Sequence, residues 1–307
     1  MINVKHYYPL DNHAEFCSFT KDVNWIHKDS HEDYDLIYCS DPLAYQEILK
    51  RPRRGPLVGW CWDIPYNWRE WSYDFYQFDF QRDEYINYYL FCLSRCDLVL
   101  CGTKWTQEVL RRFGIKAIPI DWYIPNTANL EYHKHDRDGY CQISRIFPPK
   151  RFEIPIQACR HISEKIVSCG FAQTPDYLYK IDKLSDTYDE SYLITDAQNE
   201  EIPIIIQSSK ALISASVFEG WGLTPSEALY CDTPIFLTDI PVFREFYGDC
   251  AVFFEKDNYE DLATKLLNTT QSELNEKLLI GKERIKDVTP QGFARRWRDV
   301  VNKRFGI

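Results

Sequence analysis

The chain has 307 residues, a net charge of −10 and a pI near 5.3, so the molecule as a whole has no field that gathers nucleic acid or anionic membrane. Its 45% hydrophobic and 27% charged content excludes a disordered chain and suits two domains of about 150 residues, each able to bury a core. No apolar run approaches the ~18 residues of a membrane span, and residues 1–13 lack the apolar core of a signal peptide.

Short β-branched and apolar runs alternate with helical patterns from end to end. In the first half, strands are expected at 2–7, 35–39, 56–62, 97–101 and 117–121. Between the last two, Thr103 caps a helix with Trp105, Val109 and Phe113 on one face, and Gly114 ends it. In the second half, strands are expected at 140–144, 166–169, 192–195, 211–216, 234–237 and 251–254, again with helices between. Alternation of this kind implies parallel sheets with helices on both faces. Two such series imply two doubly wound, Rossmann-like domains, at 1–137 and 138–289, with a seam in the unpatterned stretch 126–139. A last helix from 290 carries Phe293, Trp297, Val300, Val301 and Phe305 as a stripe, placed to pack back on the first domain.

Several local features read two ways. Asp33-Tyr34-Asp35 and Asp136-Arg137-Asp138 follow no strand end and read as loops, and His133-Lys134-His135 has no further ligands at zinc spacing. Lys50-Arg51-Pro52-Arg53-Arg54 is a solvated loop or a contact for lipid headgroups or a phosphate-bearing acceptor. Residues 60–91 hold fourteen aromatics, suited either to packing or to stacking on a sugar acceptor. In Trp60-Cys61-Trp62-Asp63-Ile64-Pro65, Asp63 either caps a turn or orients an acceptor. The eleven cysteines are odd in number, contain no CxxC, and sit mostly in apolar runs such as Cys96-Asp97-Leu98-Val99-Leu100-Cys101. They read as reduced buried thiols in a cytoplasmic protein.

The most informative stretch is Glu219-Gly220-Trp221-Gly222-Leu223-Thr224-Pro225-Ser226-Glu227. Two carboxylates stand eight positions apart around a glycine turn that enters a helix. Thr224 is expected to cap that helix with Pro225 in its first turn, and free amides at a positive dipole end suit a phosphate. Glu227 either completes a capping box with Thr224 or holds ligand hydroxyls. Glu219 ends a strand among small and apolar neighbours and needs a partner. Arg145 and Lys150, five apart around a Pro-Pro pair, follow another strand and suit a diphosphate clamp. Both loops lie at carboxyl ends of strands, where ligands bind in open α/β folds.

Glu219–Glu227, with Ala228-Leu229, Asp232-Thr233-Pro234-Ile235 and Asp239-Ile240-Pro241-x-x-Arg244-Glu245, resembles the EGxG…E signature of retaining GT-B glycosyltransferases of family 4. Ser144-Arg145 and Lys150 resemble that family's diphosphate clamp, and Ile124-Pro125-Asn126 its domain-closing segment. The resemblance implies two Rossmann-like domains facing each other across a cleft. It also implies transfer of a sugar from a nucleoside-diphosphate sugar to an acceptor hydroxyl with retention, without a metal or resident cofactor. Arg145, Lys150 and the amides of Gly220, Gly222, Leu223 and Thr224 would hold the diphosphate, Glu227 the ribose, and Glu219 the transferred sugar. Asp63, beside the position of the family's acceptor-side His, would serve the acceptor. The first domain departs from the pattern, with no glycine in residues 1–54. Two other readings stand beside this one: a degenerate GT-B binder without turnover, and transfer to a modified nucleic-acid base, which the net acidity disfavours. The expected location is cytoplasmic, with peripheral contact at the inner membrane face left open.

Overall fold

The computed structural model describes residues 2–7, 23–40, 44–50, 52–62, 64, 79–124 and 136–307. They form two compact units, one taking the described residues up to 124 together with 287–307, the other taking 136–286.

The first unit is a six-stranded parallel sheet of β1 (Ile2–Tyr7), β2 (Val23–His27), β3 (Leu36–Cys39), β4 (Leu57–Cys61), β5 (Leu98–Cys101) and β6 (Ala117–Pro119), in the order β2-β1-β3-β4-β5-β6. Helices α1 (Tyr45–Leu49), α2 (Asp79–Ser94), α3 (Lys104–Arg112) and the C-terminal α11 (Pro290–Phe305) belong to this unit. Thr103 caps α3 by accepting from the Thr106 amide at 3.1 Å. Phe113 lies at its C-terminal end and is exposed rather than on the buried face. The edge strand β2 was not expected: it is five residues long, and its buried Val23 and Ile26 are interrupted by the exposed Asn24 and followed by the exposed His27, which leaves no regular apolar pattern. The stripe on α11 packs on this sheet. Trp297 is fully buried against Trp25 and Tyr38, and Phe293 against Trp60, Trp122 and Tyr123.

The aromatic-rich segment is only partly described. Trp60 is core, and Tyr89 donates from its hydroxyl to the Trp60 carbonyl at 3.1 Å. Trp62 is half-buried against Trp122 and donates its indole N–H to the Ser40 carbonyl at 2.7 Å. These three pack within the unit; Trp68, Trp71, Tyr73, Phe75 and Tyr76 lie outside the described residues. Two cations of the basic run are taken internally, Arg53 by Asp97 at 3.0 Å and Arg54 by Asp33 at 2.5 Å. All ten described cysteines are free thiols, nine of them buried. No helix among the described residues is long and apolar enough to cross a membrane.

The second unit is a parallel sheet of β7 (Tyr140–Ile143), β8 (Ile166–Cys169), β9 (Ser191–Ile194), β10 (Ala211–Ser214), β11 (Ile235–Thr238) and β12 (Val252–Phe254), in the order β12-β11-β10-β7-β8-β9. Between and after these strands run α4 (Glu153–His161), α5 (Pro175–Ser185), α6 (Glu201–Gln207), α7 (Leu223–Tyr230), α8 (Pro241–Tyr247), α9 (Tyr259–Asn268) and α10 (Gln271–Ile285). Inner strands are buried because helices cover both faces; β11 is buried along its whole length, and the buried Gln142 of β7 donates to the Ser168 hydroxyl of β8 at 2.7 Å. Ile154, Ile156, Ile213, Phe236, Phe254 and Leu262 centre the core. Chain order doubles back between β7 and β10: β8 and β9 extend to one side, β11 and β12 to the other. That reversal opens a crevice at the carboxyl ends of β7 and β10.

Candidate functional site

Two loops meet at this reversal. The first leaves β7 through Ser144-Arg145-Ile146 and is held down by the loop after β8. Ser144 donates its amide to the Cys169 carbonyl at 3.1 Å, and Ile146 to the Phe171 carbonyl at 2.8 Å. Gly170 permits this approach, since a Cβ there would stand 1.6 Å from the Ser144 carbonyl oxygen. Pro148–Lys150 then makes one 3-10 turn. Arg151 closes it in the left-handed region at φ 48° and pairs with Asp257 at 2.7 Å.

The second loop leaves β10 and carries Glu219, Gly220, Trp221 and Gly222 into α7. Gly222, not Thr224, is the residue before the first helical turn, with φ +91° and no side-chain cap. A Cβ at Gly222 would lie 2.7 Å from the Phe243 ring, so both backbone and packing require glycine there. Thr224 therefore falls at the second helical position, and no capping box with Glu227 forms. The amides of Gly222, Leu223 and Thr224 stay without a side-chain cap at the positive end of α7.

The two loops are joined directly. Val217 donates its amide to the Pro149 carbonyl at 2.9 Å. The Lys150 ammonium donates to Glu219 Oε1 at 2.5 Å, with only 11% and 16% of the two side chains exposed. Residues 69 positions apart thus form one half-buried ion pair beside the glycine turn. Arg145 is exposed on the same loop as Lys150 and, among the described residues, its guanidinium has no hydrogen-bond or ion-pair partner. Glu227 is half-buried on α7, and no described side chain engages its carboxylate; burial pushes its pKa up to about 7. Asp63, the remaining candidate, lies outside the described residues.

A buttress that the motif itself does not announce lies on α8. Tyr247, fully buried, donates from its hydroxyl to the Gly222 carbonyl at 2.6 Å. Its proton being committed there, the Ser226 hydroxyl must donate to Tyr247 Oη at 2.6 Å. Phe243 underlies Gly222, and Phe246 lies 4.3 Å from Trp221 between ring centroids. The signal in sequence was the Phe243, Phe246, Tyr247 stripe at helical spacing, just after Pro241. Asp239 and Arg244 of the same motif make a bidentate pair at 2.7 Å, with the guanidinium 3.8 Å from the centre of the Phe253 ring. Among the described residues that pair is structural.

The arrangement joins Lys150 on one loop to Glu219 on the other beside the uncapped start of α7, with Arg145 exposed on the first loop and Glu227 on the helix. Such a set is suited to a diphosphate between polar hydroxyls.

Comparison with known proteins bears on the same region. Residues 131–283, nearly all of the second unit, match the family described as glycosyl transferases group 1. The O-antigen chain mannosyltransferase RfbU of Salmonella typhimurium is 21% identical over 188 residues, covering 58% of this chain and 52% of that protein. Among solved structures, HepE of Anabaena in complex with UDP and glucose superposes with a TM-score of 0.72 at 15% identity, over 99% of this chain and all of HepE. TarM of S. aureus, solved with fondaparinux, alpha-GlcNAc-glycerol and UDP, gives a TM-score of 0.69 at 18% identity, over 87% of this chain and 55% of TarM. The chain thus spans about half the length of RfbU and of TarM. The two six-stranded parallel sheets are those of the GT-B fold.

Proposed function

We propose that this chain, whose residues 131–283 match the group 1 glycosyltransferases, moves a sugar from a nucleoside-diphosphate donor to an acceptor hydroxyl with retention of anomeric configuration. The observation that carries the reading is the junction of the Lys150 and Glu219 loops at the carboxyl ends of β7 and β10, beside the uncapped start of α7. In this reading Arg145, Lys150 and the amides around Gly222 take the diphosphate. As the glycosidic bond breaks, negative charge grows on the leaving phosphate, and these fixed donors stabilise it without reorganising. That role needs no metal. Glu227 accepts from the ribose hydroxyls, and Glu219 lies against the transferred sugar, where positive charge develops. Retention follows from attack of the acceptor on the face from which the diphosphate departs. The acceptor is a glycan, a lipid-linked sugar or another small hydroxyl compound.

A transfer assay over a panel of nucleotide sugars and hydroxyl acceptors, read by NMR of the product's anomeric proton, tests the reading. Turnover with the donor's configuration kept is expected. Inverted product would refute retention, and saturable donor binding without turnover on any acceptor would refute the enzyme.

Glu227 adds a pH signature. Its carboxyl group is protonated below about pH 7 in the free protein because burial disfavours the charge. A carboxylate accepts both ribose hydroxyls, whereas the acid spends one oxygen on its own proton. Donor affinity should therefore rise as pH increases from 6 to 8 and then level off, and the rise should vanish in Glu227→Gln. Stability runs the other way. The folded pKa lies above the model-peptide carboxylate range, so the folded state binds the extra proton between about pH 4.5 and 7. Its contribution to stability falls across that window as pH rises. Titration calorimetry at stepped pH checks the first expectation; a flat affinity profile in the parent protein contradicts it.

A further inference from the structure

We propose that Glu219 and Lys150 exchange partners during each catalytic cycle, making Glu219 the residue that discriminates the nucleotide sugar from the nucleoside diphosphate left after transfer. The inference rests on the function proposed above. The Lys150 ammonium donates to Glu219 Oε1 at 2.5 Å, in a place where both side chains are nearly covered. The Val217 amide on the Pro149 carbonyl holds the two loops in register, so the pair is an ordered contact rather than a chance surface encounter.

A nucleotide sugar supplies a replacement for each partner. Its diphosphate takes the ammonium, and its sugar hydroxyls satisfy the carboxylate that the ammonium leaves. A nucleoside diphosphate supplies only the first replacement. It would strip Lys150 from Glu219 and leave a half-buried carboxylate unpartnered, beside a terminal phosphate that has gained charge on losing its sugar. Breaking a buried pair by satisfying one member alone is costly, because the other charge is stranded. A ligand shifts such an equilibrium only by its differential affinity for the two arrangements. Glu219 therefore disfavours the product relative to the donor. Once the sugar has gone, Glu219 recaptures Lys150 and releases the leaving group, a step that limits turnover in many enzymes.

Titration calorimetry of the full chain with UDP, GDP, ADP and dTDP, each beside a matching nucleotide sugar, tests this. For the base that binds, Glu219→Gln should tighten the nucleoside diphosphate by roughly fivefold or more, the scale of about 1 kcal/mol. Affinity for the nucleotide sugar should stay within about threefold, since the lost sugar contact is offset by the freed ammonium. In a Lys150→Ala background the same substitution should give a clearly smaller gain, since only the repulsion between carboxylate and phosphate is then relieved. Lys150→Ala alone should lower the melting temperature, while Glu219→Gln keeps a folded, two-unit protein. Weaker nucleoside-diphosphate binding in Glu219→Gln, or a gain that is undiminished without Lys150, overturns the exchange but leaves the proposed function standing. Absence of binding by the parent protein to all four nucleotides overturns both.

Discussion

Replacing Arg145 and Lys150 together by alanine should weaken donor binding by roughly 3–6 kcal/mol, since each charge-assisted contact contributes about 1.5–3 kcal/mol. On the dissociation constant this is a rise of about two to four decades. The two residues should contribute unequally to stability. Arg145 is exposed and has no partner among the described residues, so removing it should leave folding unchanged. Lys150 neutralises Glu219 at 2.5 Å, so removing it strands a carboxylate that is 16% exposed, which should lower the melting point. Calorimetric titration of both single variants and the double variant, each paired with a thermal melt, separates ligand contact from structural support. An unchanged dissociation constant in the double variant would remove both residues from the donor site.

Glu219→Gln should lower kcat by about a hundredfold or more, the usual consequence of losing a fixed charge opposite one that develops in the transition state. Donor affinity should change far less, because glutamine keeps the shape and the hydrogen-bonding oxygen, and the diphosphate clamp remains. The division between kcat and affinity is the informative part. A residue that merely supports the glycine turn would, when altered, disturb the amides around Gly222 and so weaken donor binding in step with turnover. Steady-state kinetics beside equilibrium binding distinguishes these outcomes, and equal loss in both would show that Glu219 does not face the sugar.

What was legible in the sequence follows from which interactions are local. All six strands of the second unit were expected, and the buried ones stood out as continuous apolar runs, as in Ile235–Thr238. β2 did not, since its run is short and broken by the exposed Asn24 and His27. The glycine turn and its two carboxylates were visible, but the start of α7 was misplaced by two residues. Thr224-x-x-Glu227 has the form of a capping box, and only the +91° φ at Gly222 shows that the helix begins at Leu223. Phe113 looked inward by spacing, yet α3 ends one residue earlier and turns it to solvent.

The Lys150–Glu219 pair was out of reach for a different reason. Its two loops were each placed at a strand end, but their contact depends on β7 lying beside β10, an adjacency set by the order of the whole sheet. The Tyr247 tether to Gly222 is likewise a product of α8 packing over the turn.

The central claim is that a diphosphate lodges between the Lys150 loop and the start of α7. A crystal structure of the full chain with the nucleoside diphosphate that binds it tests this most directly. The expected result places phosphate oxygens within about 2.7–3.2 Å of the Lys150 ammonium and of the Leu223 and Thr224 amides, with Lys150 detached from Glu219. A diphosphate bound elsewhere, with the Lys150–Glu219 pair intact, would contradict it.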